Sequence, residues 1–364
     1  MNSYVLNARF LMRPLTGVDR VATELISASL DAGIPSRFKD ILAVRPKGTV
    51  VAASERPKDL LSITSTSASK LTGHPWEQLA LAKESPESWL ISLCNMGPVL
   101  RKKQVVMMHD AQAFRQPETY SRAFRSFYHF VQPRLGHRAQ TILTVSEHSK
   151  RELEHFGVVP KDKAIVIPNG ADHILRLAAD ARILDRHSLS TGGYFLTIGS
   201  LAPHKNLKML VDASNARSDK QRPLVIAGGG NAAVFGANGL RESEHIKMLG
   251  RVTDEELRAL YENAFALVFP SKTEGFGLPP AEAMTLGCPV IASTGGAIPE
   301  VTEGAAISVS PSDQGAWTKA MENLEQCTTL SDELKEQGRE RAKMFTWARA
   351  SDKFLSVLDD LPSD

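Results

Sequence analysis

Short, unbroken apolar runs separated by amphipathic stretches recur along this chain, and they restrict it to a small set of folds. The runs are Thr49-Val50-Val51-Ala52-Ala53, Gln104-Val105-Val106-Met107-Met108, Thr141-Ile142-Leu143-Thr144-Val145 and Ala164-Ile165-Val166-Ile167. Further along come Tyr194-Phe195-Leu196-Thr197-Ile198, Pro223-Leu224-Val225-Ile226-Ala227, Ala266-Leu267-Val268-Phe269 and Pro289-Val290-Ile291-Ala292. A strand with one wet face alternates apolar and polar residues. A strand that is apolar throughout is buried on both faces, which is the situation in a parallel sheet covered by helices. Helical patterns such as Ser149 to Leu153 and Asp254 to Leu260 lie between the runs. The first residues, Met1 to Phe10, read as an opening strand, with no basic region followed by a long apolar one.

There are too many runs for one sheet, and 364 residues suffice for two domains. The boundary is expected within 170–192. Asn169-Gly170-Ala171-Asp172 is turn chemistry, and Thr191-Gly192-Gly193 precedes the restart of the pattern at Tyr194. The expected division is 1–180 for the first doubly wound domain, 181–345 for the second, and 346–364 for a closing amphipathic helix.

Composition narrows the function classes. Charged residues at 23% and hydrophobic ones at 42% fit a soluble globular protein, and 43 basic against 41 acidic residues leave only +2. Such a balance gives no reason to expect nucleic acid as a partner. Cys94, Cys288 and Cys327 are far apart and show no metal-ligand spacing, so a reducing compartment is the expectation. No apolar run approaches the roughly 18 residues needed to span a bilayer. The expected location is cytoplasmic, with attachment to the inner face of the cytoplasmic membrane left open.

The most informative local segment is Glu274-Gly275-Phe276-Gly277-Leu278-Pro279-Pro280-Ala281-Glu282. It follows a strand-like run and leads into a helix-like one. Glu274 therefore belongs in the loop leaving a strand and Glu282 on the first helical turn. The glycines let backbone amides approach a ligand, and amides at a helix start suit a diphosphate. Two carboxylates suit the hydroxyls of a sugar and a ribose. Turn glycines and a helix-start acid would also account for the segment taken alone.

Gly199-Ser200-Leu201-Ala202-Pro203-His204-Lys205 follows another strand-like run. A lysine there sits beside backbone amides, a pairing suited to phosphate, although a solvated lysine at a helix start fits too. His109-Asp110 ends a third run; the histidine suits a sugar hydroxyl or a charged reaction centre, or a bond within its loop. Gly17 precedes the helical pattern Val21 to Leu25, where a phosphate or sugar, or simple helix-start chemistry, explains it. Ala227-Gly228-Gly229-Gly230 admits a nucleotide or a plain turn. Between Arg101 and Arg138 basic and aromatic side chains interleave: Arg115, Arg122, Arg125 and Arg134 with Phe114, Tyr120, Phe124, Phe127, Tyr128 and Phe130. That stretch suits an anionic membrane surface or a lipid-diphosphate acceptor, or supplies core aromatics at helical spacing.

Together these blocks resemble the retaining glycosyltransferases of family 4. The Glu-x7-Glu element at Glu274 and Glu282 carries most of the resemblance. Gly250-Arg251-Val252-Thr253-Asp254-Glu255-Glu256-Leu257, Thr144 to Lys150, Ile167-Pro168-Asn169-Gly170 and Trp76-Glu77-Gln78 add to it. The resemblance implies a GT-B architecture: two Rossmann-like α/β domains facing across a cleft, with the last helix crossing back to the first. It implies that Glu282 binds the ribose and Glu274 the donor sugar, with amides of Phe276, Gly277 and Leu278 on sugar or diphosphate. Lys205 would meet the leaving diphosphate, Val252 the base, His109 the donor sugar at the reaction centre, and Gly17 the phosphates or acceptor. Catalysis would then rest on His109 and Glu274.

One departure stands out, because Ser200 occupies a place where many family members carry an arginine. No Asp-x-Asp occurs, so neither a metal nor another cofactor is expected beyond the sugar-nucleotide donor. The implied reaction moves a hexose from a sugar nucleotide to a saccharide or lipid-linked saccharide, with GDP-mannose and UDP-glucose both fitting as donors. The departing diphosphate itself would accept the acceptor's proton, leaving the protein to align and to stabilise charge. A non-catalytic nucleotide-sugar-binding protein is the first alternative. An NAD-dependent oxidoreductase is the second, and the lack of GxGxxG argues against it.

Overall fold

The computed structural model describes residues 2–32, 41–48, 50, 57–229 and 242–362. The chain forms two compact units: Met1–Gly170 together with Trp347–Asp364, and Ala171–Thr346.

The first unit carries β1 (Tyr4–Asn7), β2 (Ile41–Arg45), β3 (Thr64–Thr66), β4 (Trp89–Ser92), β5 (Gln104–Met107), β6 (Thr141–Thr144) and β7 (Ala164–Val166). They form a seven-stranded sheet in the order β3-β2-β1-β4-β5-β6-β7. The second unit carries β8 (Phe195–Ile198), β9 (Leu224–Ala227), β10 (Ile246–Gly250), β11 (Ala266–Phe269), β12 (Val290–Ser293) and β13 (Ile307–Val309). These form a six-stranded sheet in the order β10-β9-β8-β11-β12-β13. Every pairing between these strands is parallel. Each unit is thus a doubly wound, Rossmann-like sheet, as the apolar runs require.

Burial follows the pattern that predicted it. All residues of β5, β9, β11 and β12 are buried. In the second unit Phe195, Ile226, Val268 and Ile291 pack with Trp317 and Met321 from the helix Gln314–Gln326. In the first, Val106 and Ile142 pack with Leu135 and Leu153. Burying one such side chain stabilises the fold by about 1.5–3 kcal/mol. The run Thr49 to Ala53 lies outside the described residues except for Val50, and so does Gly230 of the glycine triplet.

Strand order reverses between β1 and β4 in one sheet and between β8 and β11 in the other. In doubly wound sheets ligands bind beyond the carboxyl ends of the strands at this reversal. The loops after β1, β4, β8 and β11 are therefore the places to look.

The final helix, Trp347–Asp359, belongs to the first unit. It buries Trp347, Phe354 and Leu358. Ser351 Oγ lies 3.0 Å from Ser29 Oγ on the helix Gly17–Asp31, and Tyr4 Oη donates to Leu358 O at 3.2 Å. The division between units falls after Gly170, ahead of residue 180. The stretch from Ala171 packs into the second unit, where Ala171 N–H donates to Phe345 O at 2.9 Å and Asp180 N–H to Glu255 O at 3.0 Å.

Candidate active site

In the second unit the chain leaves β11, runs through Glu274 and enters the helix Leu278–Thr285. Gly277 starts that helix at φ +109°, a backbone region that a side chain would strain. Pro279 and Pro280 follow in the first turn, where their missing N–H costs nothing. Among the described residues the N–H groups of Phe276, Gly277 and Leu278 donate to no protein acceptor. The Phe276 ring is buried and meets Phe345 edge-on at 5.4 Å, which anchors the loop from its hydrophobic side.

Glu274 Oε1 accepts from Lys205 Nζ at 2.7 Å. The lysine side chain is 21% exposed and the carboxylate 13%, so the pair is only partly screened by water. Lys205 closes the single turn Pro203–Lys205 after β8. The next residue, Asn206, takes the left-handed conformation at φ +58°. Its Nδ2 donates to Pro270 O at 3.3 Å and to Pro311 O at 2.7 Å, tying the loops after β8, β11 and β13 together. Ser200 is exposed in the loop between β8 and this turn.

Two glycines outside the Glu274–Glu282 segment hold Glu274 from behind. A Cβ on Gly295 would fall 2.3 Å from Lys272 O, and one on Gly296 would fall 2.3 Å from Glu274 N. Ala297 N–H then donates to Glu274 O at 3.0 Å. The loop after β12 therefore lies flat against the Glu274 backbone. The adjacent pair of glycines after a strand-like run was the available signal.

Glu282, 4% exposed, points both oxygens at buried partners. Tyr261 Oη donates to Oε2 at 2.9 Å, and His173 Nε2 lies 3.2 Å from Oε1. Neither His173 nor Tyr261 was singled out from the sequence. Val252 is half-buried between β10 and the helix Asp254–Asn263, whose start is fixed by a capping box of Thr253 and Glu256. The backbone before it turns at Gly250, φ +68°, whose carbonyl accepts from Gly228 N–H at 2.7 Å. Lys205 and Glu274 are thus brought into direct contact, while Glu282 is held in a separate buried network of the same unit.

His109 belongs to the first unit and follows β5. Its ring is 5% exposed, and its Nε2 lies 2.8 Å from Leu93 O, so that nitrogen carries the proton and donates. Its N–H donates to Asn95 Oδ1 at 2.7 Å and its carbonyl accepts from Ser149 Oγ at 2.8 Å. Burial pushes the imidazole pKa down to about 4. The ring is therefore neutral at ordinary pH, with Nδ1 as its acceptor. Of the readings the sequence left open, a hydrogen bond within the protein is made at Nε2, and the neutral Nδ1 suits an uncharged bond to a hydroxyl.

Gly17 opens the helix Gly17–Asp31, and a Cβ there would meet nothing within 4 Å. Packing within the protein does not demand a glycine at this position. The helix start is closed by a capping box of Thr16 and Asp19, and Arg13 Nε donates to Asp19 Oδ1 at 2.6 Å.

A second polar cluster, not foreseen as a site, stands at the β1–β4 reversal. Glu77 is buried, with Asn7 Nδ2 donating to its Oε1 at 2.8 Å. Its Oε2 lies 3.2 Å from His74 Nδ1 and 3.3 Å from Arg9 Nη2. Burial alone would raise the Glu77 pKa, but His74, Arg9 and Asn7 outweigh it and hold the carboxyl below its usual range. Arg9 and Arg13 are each fastened to a buried carboxylate, Glu77 and Asp19, and each keeps part of its side chain exposed. Cys94, beside them, is pushed up to about 12 by burial and stays a thiol.

The interleaved aromatics between Arg101 and Arg138 divide into two groups. Tyr120, Phe124 and Tyr128 stack in succession at 5.0 and 3.9 Å, and Phe114 packs against the core. Phe130 is exposed, with the Arg134 guanidinium 3.7 Å above its ring.

Known proteins resemble this chain in sequence and in fold. The model for "Glycosyl transferases group 1" matches residues 184–341, and that for "Glycosyltransferase Family 4" matches 85–174. The chain is 30% identical over 267 residues to O-antigen chain mannosyltransferase B of Escherichia coli, covering 70% of each chain. It is 30% identical over 235 residues to O-antigen chain mannosyltransferase RfbU of Salmonella typhimurium, covering 63% of this chain and 62% of that one. The chain therefore belongs to the family 4 glycosyltransferases. Among solved structures, Anabaena HepE in complex with UDP and glucose superposes with a TM-score of 0.76 at 16% identity, covering 99% of this chain and all of that one. Sucrose-phosphate synthase from Thermosynechococcus elongatus gives 0.75 at 18%, covering 99% and 98%. These likenesses show the GT-B fold. Family membership leaves the oxidoreductase alternative without support.

Proposed function

We propose that this chain transfers a hexose, with mannose first among the candidates, from a sugar nucleotide to a saccharide acceptor in polysaccharide synthesis, with retention and without a metal. The observation that carries the reading is the Lys205–Glu274 pair at 2.7 Å beside the undonated amides of Phe276, Gly277 and Leu278. A cation and three amides in one loop cluster suit a diphosphate leaving group, and a carboxylate beside them suits a sugar hydroxyl. Glu282 takes the ribose, and His109 offers Nδ1 to a sugar hydroxyl. The mannosyl preference draws on the printed activities of the O-antigen relatives.

The acceptor side of the reading rests on the β1–β4 reversal. Arg9 and Arg13 are balanced by Glu77 and Asp19, and with His74 they present donors and acceptors in fixed positions. That chemistry suits a saccharide better than a bare phosphate. Exposed Phe130 with Arg134, Arg122 and Arg138 extends the reading to an acceptor held at an anionic lipid surface. Among the described residues no helix is long and apolar enough to cross a membrane.

The test is incubation of the purified chain with GDP-mannose and with UDP-glucose, with and without an oligosaccharide acceptor and with EDTA. Slow nucleoside diphosphate release, unaffected by EDTA and abolished in Glu274→Ala, is expected. NMR of the product should show the donor's anomeric configuration kept. Binding of a sugar nucleotide without any turnover would replace this reading with the non-catalytic alternative.

A further inference from the structure

We infer that His173 and Tyr261 are positioning residues for Glu282, fixing its carboxylate so that it reads the ribose of the donor nucleotide. The inference rests on Glu282 as the ribose anchor and goes beyond it, because neither residue need touch the nucleotide.

A carboxylate offers about four acceptor directions, two on each oxygen. In this structure each oxygen of Glu282 has one buried partner: Tyr261 Oη on Oε2 at 2.9 Å and His173 Nε2 beside Oε1 at 3.2 Å. One acceptor direction on each oxygen then remains for a ligand, and vicinal ribose hydroxyls are a pair of donors that matches them. Without the two partners the carboxylate would be free to turn about its last bond, and the pair of directions would be lost.

Both partners sit on supports that leave them little freedom. Tyr261 is fully buried on the helix Asp254–Asn263, whose start the Thr253–Glu256 capping box fixes. His173 is buried in the short turn Asp172–Arg176 at the beginning of the second unit. The residue two before it, Ala171, donates its N–H to Phe345 O, and the Phe345 ring packs edge-on against Phe276 of the donor loop. The turn bearing His173 and the loop bearing Phe276 thus share one support. A purely structural role would tie the histidine and tyrosine to fold stability but not to one sugar of the ligand, and that difference is measurable.

The experiment uses calorimetric titration of the full chain with GDP and UDP and with their 2′-deoxy and 3′-deoxy counterparts. Wild type should bind the ribonucleotide it prefers about tenfold or more tightly than the deoxy forms. His173→Phe and Tyr261→Phe should each bind the ribonucleotide about tenfold more weakly, while the deoxy forms change less than about twofold. His173→Gln, which returns an N–H donor near the Nε2 position, should recover most of the loss. Steady-state rates should show a raised donor KM with kcat nearly unchanged.

Equal losses for ribo and deoxy nucleotides, or no loss at all, would overturn the inference while leaving Glu282 as anchor. Equal binding of ribo and deoxy forms by wild type, or a Glu282→Gln variant that keeps the wild-type preference for the ribo form, would overturn the anchor itself. Tyr261→Phe removes a single oxygen, so it carries the test if His173→Phe does not fold.

Discussion

Lys205 Nζ and Glu274 Oε1 meet at 2.7 Å across two loops that leave neighbouring strands, β8 and β11. The pair joins the cation and the carboxylate of the donor reading in a single contact. Lys205→Ala should lower kcat by about 10²–10³-fold, the range seen when one group that stabilises developing charge is removed. Lys205→Arg should restore little, since a planar fork does not replace a point charge on a short reach. Rates for Lys205→Ala, Glu274→Ala and the double variant test the coupling. Strict additivity of the two losses would show that the contact has no part in catalysis.

His109 gives a pH dependence whose sign follows from its folded pKa of about 4 against the ordinary value of 6.5. Between these values the unfolded chain holds the proton and the folded chain does not, so unfolding free energy rises with pH there. The stabilisation from a neutral His109 is complete above about pH 6.5 and fades as pH falls toward 4. At about 1.4 kcal/mol per unit, the upper bound is about 3 kcal/mol. Urea unfolding of wild type and His109→Gln from pH 4 to 8 isolates it. A constant difference between the two across that window would show that the ring is not held neutral.

The strands that the sequence made legible are those covered on both faces, β5, β9, β11 and β12 among them. The edge strands β3, β10 and β13 carry polar residues such as Thr64, Lys247 and Ser308 and do not read as unbroken apolar runs. On the site, Glu274 and Glu282 were readable because their spacing is local and their glycines lie between them. Glu77 with Asn7, and Glu282 with His173, were not. These partners lie far apart in the chain, and only the strand order shows that the ends of β1 and β4 adjoin. Gly295 and Gly296 were visible as letters, but their purpose depends on a backbone from another loop lying 2.3 Å from where a side chain would begin.

Glycines in the two units should respond in opposite ways. Gly296→Ala places a methyl group 2.3 Å from Glu274 N at φ +65°, so the Glu274 backbone has to move. Loss of about 2 kcal/mol or more of stability and of most donor turnover is expected. Gly17→Ala meets no protein atom within 4 Å and sits at a helix start, so stability should hold or rise by up to about 1 kcal/mol. Thermal melts establish the stability side. If Gly17→Ala leaves donor and acceptor KM unchanged, no ligand approaches that glycine.

Glu77 separates the acceptor side of the reading from the donor side. It is buried and holds Arg9 and His74, with Asn7 completing its bonds. Glu77→Ala would remove the buried carboxylate that Arg9, His74 and Asn7 converge on, and breaking a buried pair costs about 3–5 kcal/mol. Because its pKa is lowered on folding, the stability it supplies is present above the ordinary carboxylate value of 4.5 and fades as pH falls below it. Arg9→Ala is the milder probe, because the arginine is partly exposed and Glu77 keeps His74 and Asn7. In that variant the acceptor KM should rise about tenfold, while donor hydrolysis without acceptor stays at the wild-type rate. A fall in donor hydrolysis matching the loss of transfer would place Arg9 in the donor half of the reaction and end the acceptor assignment.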